Sequence, residues 1–257
     1  MSNTQSSIHT LNTLLKLNNV SVYDGHQVLL KDIDFNVTEG SFHCLVGESG
    51  SGKSLLARTA LNMCPPHLKY QGQIDIDLNN TDAMFQDTNS NFFQNVRIQK
   101  HFDALFDALH TQWSRQQQHE FVCRQFRHLG LEHPEALLHD YPFQLSGGMA
   151  QRIALVMSIV REAEFLIVDE PTSALDFDNR NHLMKLLHHV VEAHHMTLLF
   201  ITHDLSLVMN YATHISVMRN GQIIESGKAE EILANPKHPY TQQLIELAHR
   251  RYRYVAD

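Results

Sequence analysis

Gly47-Glu48-Ser49-Gly50-Ser51-Gly52-Lys53-Ser54 fits the pattern G-x-x-x-x-G-K-[ST] at every fixed position. It also lies between the two elements that such a loop needs. Residues 41–46 form an apolar run that stops at Gly47, as a buried strand feeding a loop would. Residues 53–62 read as a helix, closed by Pro65-Pro66. Glycines let the loop wrap a phosphate, and its N–H groups together with the helix N-terminus supply positive potential. Lys53 is placed to reach the β- and γ-phosphates of a nucleotide, and the Ser54 hydroxyl to ligate Mg²⁺.

Phe165-Leu166-Ile167-Val168-Asp169-Glu170 supplies the other half of such a site. An apolar strand ending in a carboxylate suits Asp169 to a Mg²⁺ partner, directly or through water. Glu170 is then placed to polarise an attacking water. A strand ending in Asp-Glu is common by itself; its position after a P-loop is what gives it weight.

A P-loop leaves GTPases, kinases, motors, recombinases and transporter ATPases open. The chain has no Asn-Lys-x-Asp stretch, which disfavours a guanine-specific GTPase. Leu145-Ser146-Gly147-Gly148-Met149 narrows the choice. Ser146 with two glycines at the start of a helix is a second anion-binding helix N-terminus. One nucleotide cannot use two such loops so far apart on one chain. A nucleotide held between two chains, each offering one loop, can.

The rest of the chain alternates strands and helices. Residues 14–23 and 28–37 read as antiparallel strands around Asp24-Gly25, and 73–78 alternates again. Residues 98–109 and 117–129 read as helices bridged by the polar run 111–120, and a long helix is expected after Gly148. Residues 177–193 and 206–211 read as helices, 197–201 as a buried strand, and 215–218 with 222–225 as a hairpin around Asn220-Gly221. This is an α/β pattern with a mainly parallel sheet core, an antiparallel β subdomain and a helical subdomain inserted at about 92–163. Residues 1–13 are polar, with no basic segment leading into an apolar one, and read as a loose tail. The ATP-binding domain is expected over 14–235 and a C-terminal tail over 236–257.

Composition bounds the function. The 257 residues are 43% apolar and 19% charged, ordinary values for a globular protein, and no apolar stretch is long enough to span a bilayer. Twenty Lys+Arg against 28 Asp+Glu give a net charge of −8, which argues against nucleic acid as a partner. Cys44, Cys64 and Cys123 stand at unrelated spacings and read as reduced thiols. The chain has 19 histidines. His188, Glu192 and His195 share a helix face, but no strong ligand pattern such as H-E-x-x-H occurs, so they read as a solvated surface.

Taken together, the motifs resemble those of ABC transporter ATP-binding subunits over roughly residues 14–250, with the P-loop NTPase fold of the ABC ATPases. Residues 47–54 resemble Walker A, Gln86 the Q-loop, 145–149 the signature, 165–170 Walker B, Ser173-Ala174-Leu175-Asp176 the D-loop, and His203 the switch histidine. Tyr141-Pro142-Phe143-Gln144 leading into the signature is more specific, as is Asn235-Pro236-Lys237-His238-Pro239-Tyr240-Thr241. Both resemble the dipeptide, oligopeptide and nickel importer ATPases. The resemblance implies that Tyr23 stacks on adenine, that Gln86 joins the Mg²⁺ shell, that Asp176 adjoins the nucleotide, and that His203 contacts the γ-phosphate. Lys53 and Gln86 are only 33 positions apart, so a strand pair usual before the Q-loop is expected to be trimmed. The chain ends without a cysteine-bearing extension, which resembles the nickel-type and metallophore-type subunits. The basic run His249-Arg250-Arg251-Tyr252-Arg253 reads as a frayed end.

The function that follows is ATP hydrolysis powering import of a small solute: nickel, a metal chelate or a di- or oligopeptide. The implied partners are a second, non-identical ATPase subunit, two membrane permease subunits and an extracytoplasmic solute-binding protein. The implied location is peripheral, on the cytoplasmic face of the cell membrane. The alternative is a soluble, non-transport ABC-type ATPase. Translation-type members carry two cassettes and repair-type members a long coiled coil, and neither feature occurs here.

Overall fold

The computed structural model describes residues 12–85, 91–172 and 177–256. Two sheets organise them. Strands β1 (Thr13–Asp24), β2 (Gln27–Thr38) and β4 (Leu68–Ile76) form an antiparallel sheet in the order β2-β1-β4. Strands β3 (Phe42–Val46), β5 (Thr81–Met84), β6 (Phe165–Asp169), β7 (Thr197–Thr202), β8 (His214–Arg219) and β9 (Gln222–Lys228) form the second, in the order β5-β6-β7-β3-β8-β9. That sheet is parallel throughout, except where β9 turns back on β8.

The helices are α1 (Lys53–Ala60), α2 (Ile98–Ala108), α3 (Arg115–His128), α4 (Pro134–Leu137), α5 (Gly147–Val160), α6 (Phe177–Ala193), α7 (Ala229–Ala234) and α8 (Pro239–Ala256). Buried on both faces, the central strands are continuous apolar runs. Their alternation then divides the core in two. Phe165 and Ile167 of β6 pack with Leu56 and Ala57 of α1 beneath the antiparallel sheet. Leu166 and Val168 pack on the other side with Ile153 and Val156 of α5 and Leu187 of α6.

The parallel register positions the site. Val46 pairs with Thr202, and Asp169 with Ile201. The residues that follow the three strands, Gly47, Glu170 and His203, therefore leave the sheet along one edge. This is the carboxyl end, where open α/β sheets place their ligands.

Five sequence expectations need correction. The stretch 206–211 is not an α-helix: Leu205–Leu207 makes one 3₁₀ turn, followed by further turns to Tyr211. Its apolar residues face neighbours rather than follow a helical stripe, since the turn packs between α8 and α6. The strand read at 73–78 runs instead over Leu68–Ile76. β4 joins β1, and β5 crosses to the edge of the parallel sheet beside β6. Helix α3 starts at Arg115, inside the polar run, because Ser114 and Gln117 form a reciprocal capping box. The C-terminal segment is a packed helix rather than a tail, with Tyr240, Ile245 and Ala248 buried. Thr13, read as tail, is the first residue of β1.

Candidate nucleotide-binding site

A cavity of about 480 Å³ opens at the carboxyl edge of the sheet, lined by Leu29, Ser49, Gly50, Gly52, Lys53, Ser54, Leu55, Glu170 and His203. The loop from Gly47 to Gly52 is packed from above. A Cβ on Gly47 would lie 2.1 Å from the Met218 carbonyl oxygen, a backbone atom that cannot swing aside. Gly52 has φ +108°, and a Cβ there would lie 2.6 Å from the Leu30 side chain. Both positions accept glycine alone. The N–H of Gly221 also donates to the Ser51 carbonyl, which ties the loop to the β8–β9 turn. Gly47→Ala is accordingly expected to lower stability by about 1–3 kcal/mol, as overpacking does. Thermal unfolding of the purified variant checks this, and an unchanged midpoint would contradict the close approach.

Lys53 is the first residue of α1 and is 5% exposed. Its ammonium donates to the carbonyls of Gly47 (2.8 Å) and Glu48 (3.0 Å) and lies 3.8 Å from Glu170. Burial pushes its pKa down, and the carboxylates of Glu170 and Asp169 push it back up. The net shift is downward, with the Lys53 side chain held against two loop carbonyls beside the cavity. Ser54 donates its hydroxyl to Asp169 at 3.0 Å. Asp169 is buried, which raises its pKa, while the Ser54 hydrogen bond opposes that rise. A buried carboxylate beside a hydroxyl is a hard oxygen donor set, of the kind Mg²⁺ prefers.

Glu170 follows β6 with φ +50°, a left-handed conformation that a non-glycine residue holds only when its surroundings fix it. Its N–H donates to the Ile201 carbonyl at 2.9 Å. That twist sets the carboxylate against His203, whose Nδ1 lies 2.8 Å from Oε2. An ionised carboxylate can only accept, so Nδ1 carries the hydrogen.

The structure thus brings Gly47, Glu48, Ser49, Gly50, Ser51, Gly52, Lys53, Ser54, Asp169, Glu170 and His203 to one place. It leaves the signature apart. Ser146 caps α5 by accepting from the Met149 N–H at 3.3 Å. Ser146 and Gly147 are exposed, and none of Ser146, Gly147 and Gly148 lines the cavity. Tyr23 is half-buried on β1 opposite Val28 and is not a lining residue. Gln86 and Asp176 lie outside the described residues.

Sequence reasoning did not find Met218, Gly221, Leu29 or Tyr240, whose hydroxyl accepts from the Glu48 N–H at 2.9 Å. Nor did it assign Gln151, a buried residue of α5 that donates to the Pro171 carbonyl just past Glu170. These contacts link distant stretches and leave no local pattern. Among the described residues, no three His, Cys, Asp or Glu side chains converge as metal ligands. His188 instead packs against Tyr211, with Glu192 at 3.4 Å. The three cysteines are unpaired.

The family model described as "ABC transporter" matches residues 30–173, more than half of the chain. The chain belongs to the ABC transporter ATP-binding family. It is 30% identical over 250 residues to the metal-staphylopine import system ATP-binding protein CntD of Staphylococcus aureus NCTC 8325, covering 91% of this chain and 92% of that one. It is 31% identical over 247 residues to the nickel import system ATP-binding protein NikD of S. aureus RF122, covering 91% and 95%. It is 31% identical to the dipeptide transport ATP-binding protein DppD of Lactococcus lactis MG1363, covering 89% and 70%. The fold is similar to cbiO1 of Clostridium perfringens, part of the ABC transporter complex cbiONQ. That match has a TM-score of 0.71 and 25% identity, and it covers 94% of this chain and 99% of that one. This ABC ATPase is an ATP hydrolase with the cassette's α/β fold. Among the described residues, no helix is long and apolar enough to cross a membrane.

Proposed function

We propose that this ABC ATPase powers import of a small solute through separate permease subunits, as one of two non-identical ATPases on the cytoplasmic face of the membrane. The solute would be nickel, a metal chelate or a di- or oligopeptide, the classes named for its relatives. An extracytoplasmic binding protein would deliver it.

One observation carries the two-chain mechanism: Ser146 and Gly147 of the signature are exposed and lie outside the cavity that holds Lys53 and Glu170. Ser146, Gly147 and Gly148 would meet the nucleotide of a partner ATPase, whose own signature would close this cavity. Lys53 would leave the Gly47 and Glu48 carbonyls for the β- and γ-phosphates. Ser54, Asp169 and Gln86 would hold Mg²⁺, which neutralises phosphate charge when bound. Tyr23 would stack on adenine, and Asp176 would border the nucleotide.

Glu170 would accept a proton from the attacking water as its oxygen bonds the γ-phosphorus. The bond from that phosphorus to the β-bridging oxygen breaks, giving ADP and phosphate. His203, oriented by Glu170, would contact the γ-phosphate through Nε2–H once doubly protonated. The gain comes from positioning and charge stabilisation rather than covalent chemistry.

An aromatic surface on the helical subdomain suits a membrane partner. Phe93 is 75% exposed and stacks on His101, and Phe143 is 67% exposed and stacks on Tyr141, over which Arg97 lies. Aromatic and Arg side chains are enriched at protein interfaces relative to the rest of the surface.

Affinity purification of the tagged chain from its native membrane tests the proposal. The expected assembly holds two permease subunits and one copy each of two ATPases. Two copies of this chain with no other ATPase would overturn the heteromeric pairing. Recovery without any membrane subunit would overturn transport and favour the soluble alternative.

A further inference from the structure

The C-terminal helix reaches the nucleotide loop. Tyr240, in the first turn of α8, is 2% exposed, and its hydroxyl accepts the Glu48 N–H at 2.9 Å. The Arg219 guanidinium lies 4.6 Å over its ring. The approach to α8 is pinned separately, because the Glu225 carboxylate accepts from the N–H groups of Lys237 (2.7 Å) and His238 (3.0 Å). Further along, α8 packs on the Leu205–Leu207 turn, two residues past His203. One helix therefore touches the residue before Ser49 and the turn that follows His203, and Ser49 and His203 both line the cavity.

Glu48 is a pivotal residue for this contact. Its carbonyl accepts from the Lys53 ammonium at 3.0 Å and from the Ser51 N–H at 3.1 Å. When Lys53 turns toward a phosphate, that carbonyl loses its charged donor. Tyr240 holds the other side of the same residue throughout. Without the hydroxyl, the Glu48 N–H loses its one protein partner in a part-buried contact, and the loop gains freedom that phosphate binding must then remove.

We infer that Tyr240 is a positioning residue for ATP binding, through which α8 holds the P-loop in its phosphate-receiving conformation. The inference assigns α8 a role beyond core packing. By reciprocity, a helix that favours the ATP-bound loop is itself stabilised by ATP.

Tyr240→Phe removes the hydroxyl and keeps the ring, its burial and its contact with Arg219. Calorimetric titration of the full chain with ATP and Mg²⁺ should show affinity weakened by about three- to tenfold, the scale of one lost hydrogen bond. Hydrogen exchange adds a readout that simple packing would not move. ATP should slow exchange of the α8 amides in the unaltered chain, and this protection should shrink in Tyr240→Phe. An unchanged affinity in Tyr240→Phe, or α8 exchange in the unaltered chain indifferent to ATP, would overturn the inference. The exchange arm also decides the matter if the variant folds poorly, because it is read first on the unaltered chain.

Discussion

Glu170→Gln should bind ATP and turn it over about 10²–10⁴-fold more slowly, the range that general-base catalysis contributes. The substitution keeps the shape of a side chain that is 12% exposed, and the amide oxygen can still accept the His203 Nδ1 hydrogen. The backbone twist at Glu170, fixed by its bond to Ile201, is untouched. What is lost is the carboxylate proposed to take the proton from water. Steady-state phosphate release beside equilibrium ATP binding separates the two effects. Full turnover in the variant would move the base elsewhere, and His203 is the next group within reach.

Lys53→Ala acts one step earlier. The Lys53 side chain lines the cavity proposed for the phosphates, and hydrogen bonds to charged groups contribute up to about 3 kcal/mol, so ATP affinity should fall about a hundredfold. Folding should survive. Burial already disfavours the charged form of Lys53, and Lys53 itself lines the open cavity, from which water can enter the space that its side chain leaves. Calorimetric titration gives the affinity, and circular dichroism confirms the fold. Near-normal affinity and turnover would contradict the assignment of residues 47–54.

The sequence was most informative where chemistry and local pattern coincide. The P-loop, the apolar run ending in Asp169-Glu170 and the burst ending in His203 each pair a strand signature with a reactive end. The parallel register then sets those ends side by side. Lateral contacts were not legible. Tyr240 lies 192 positions from Glu48, and nothing near either residue signals their hydrogen bond. The Met218 carbonyl over Gly47 is equally silent, since backbone atoms carry no side-chain pattern.

Misread segments had physical reasons too. The Leu205–Leu207 turn packs against α8 and α6, which accounts for apolar residues there without a helix, and a segment as short as 206–211 gains little from helix formation. The start of α3 was hidden because its cap is polar, like the run that precedes it. The motif Asn235-Pro236-Lys237-His238-Pro239-Tyr240 was recognisable as a family feature, but its contact with the P-loop was not.

A crystal structure of Glu170→Gln with ATP and Mg²⁺ tests the central claim most directly. The account predicts a triphosphate within the 47–54 loop. It also predicts that the Lys53 ammonium has moved from the Gly47 and Glu48 carbonyls to phosphate oxygens, and that the Ser54 hydroxyl has turned from Asp169 to the metal. Nucleotide bound elsewhere, or Lys53 still on its own carbonyls beside a bound triphosphate, would contradict it.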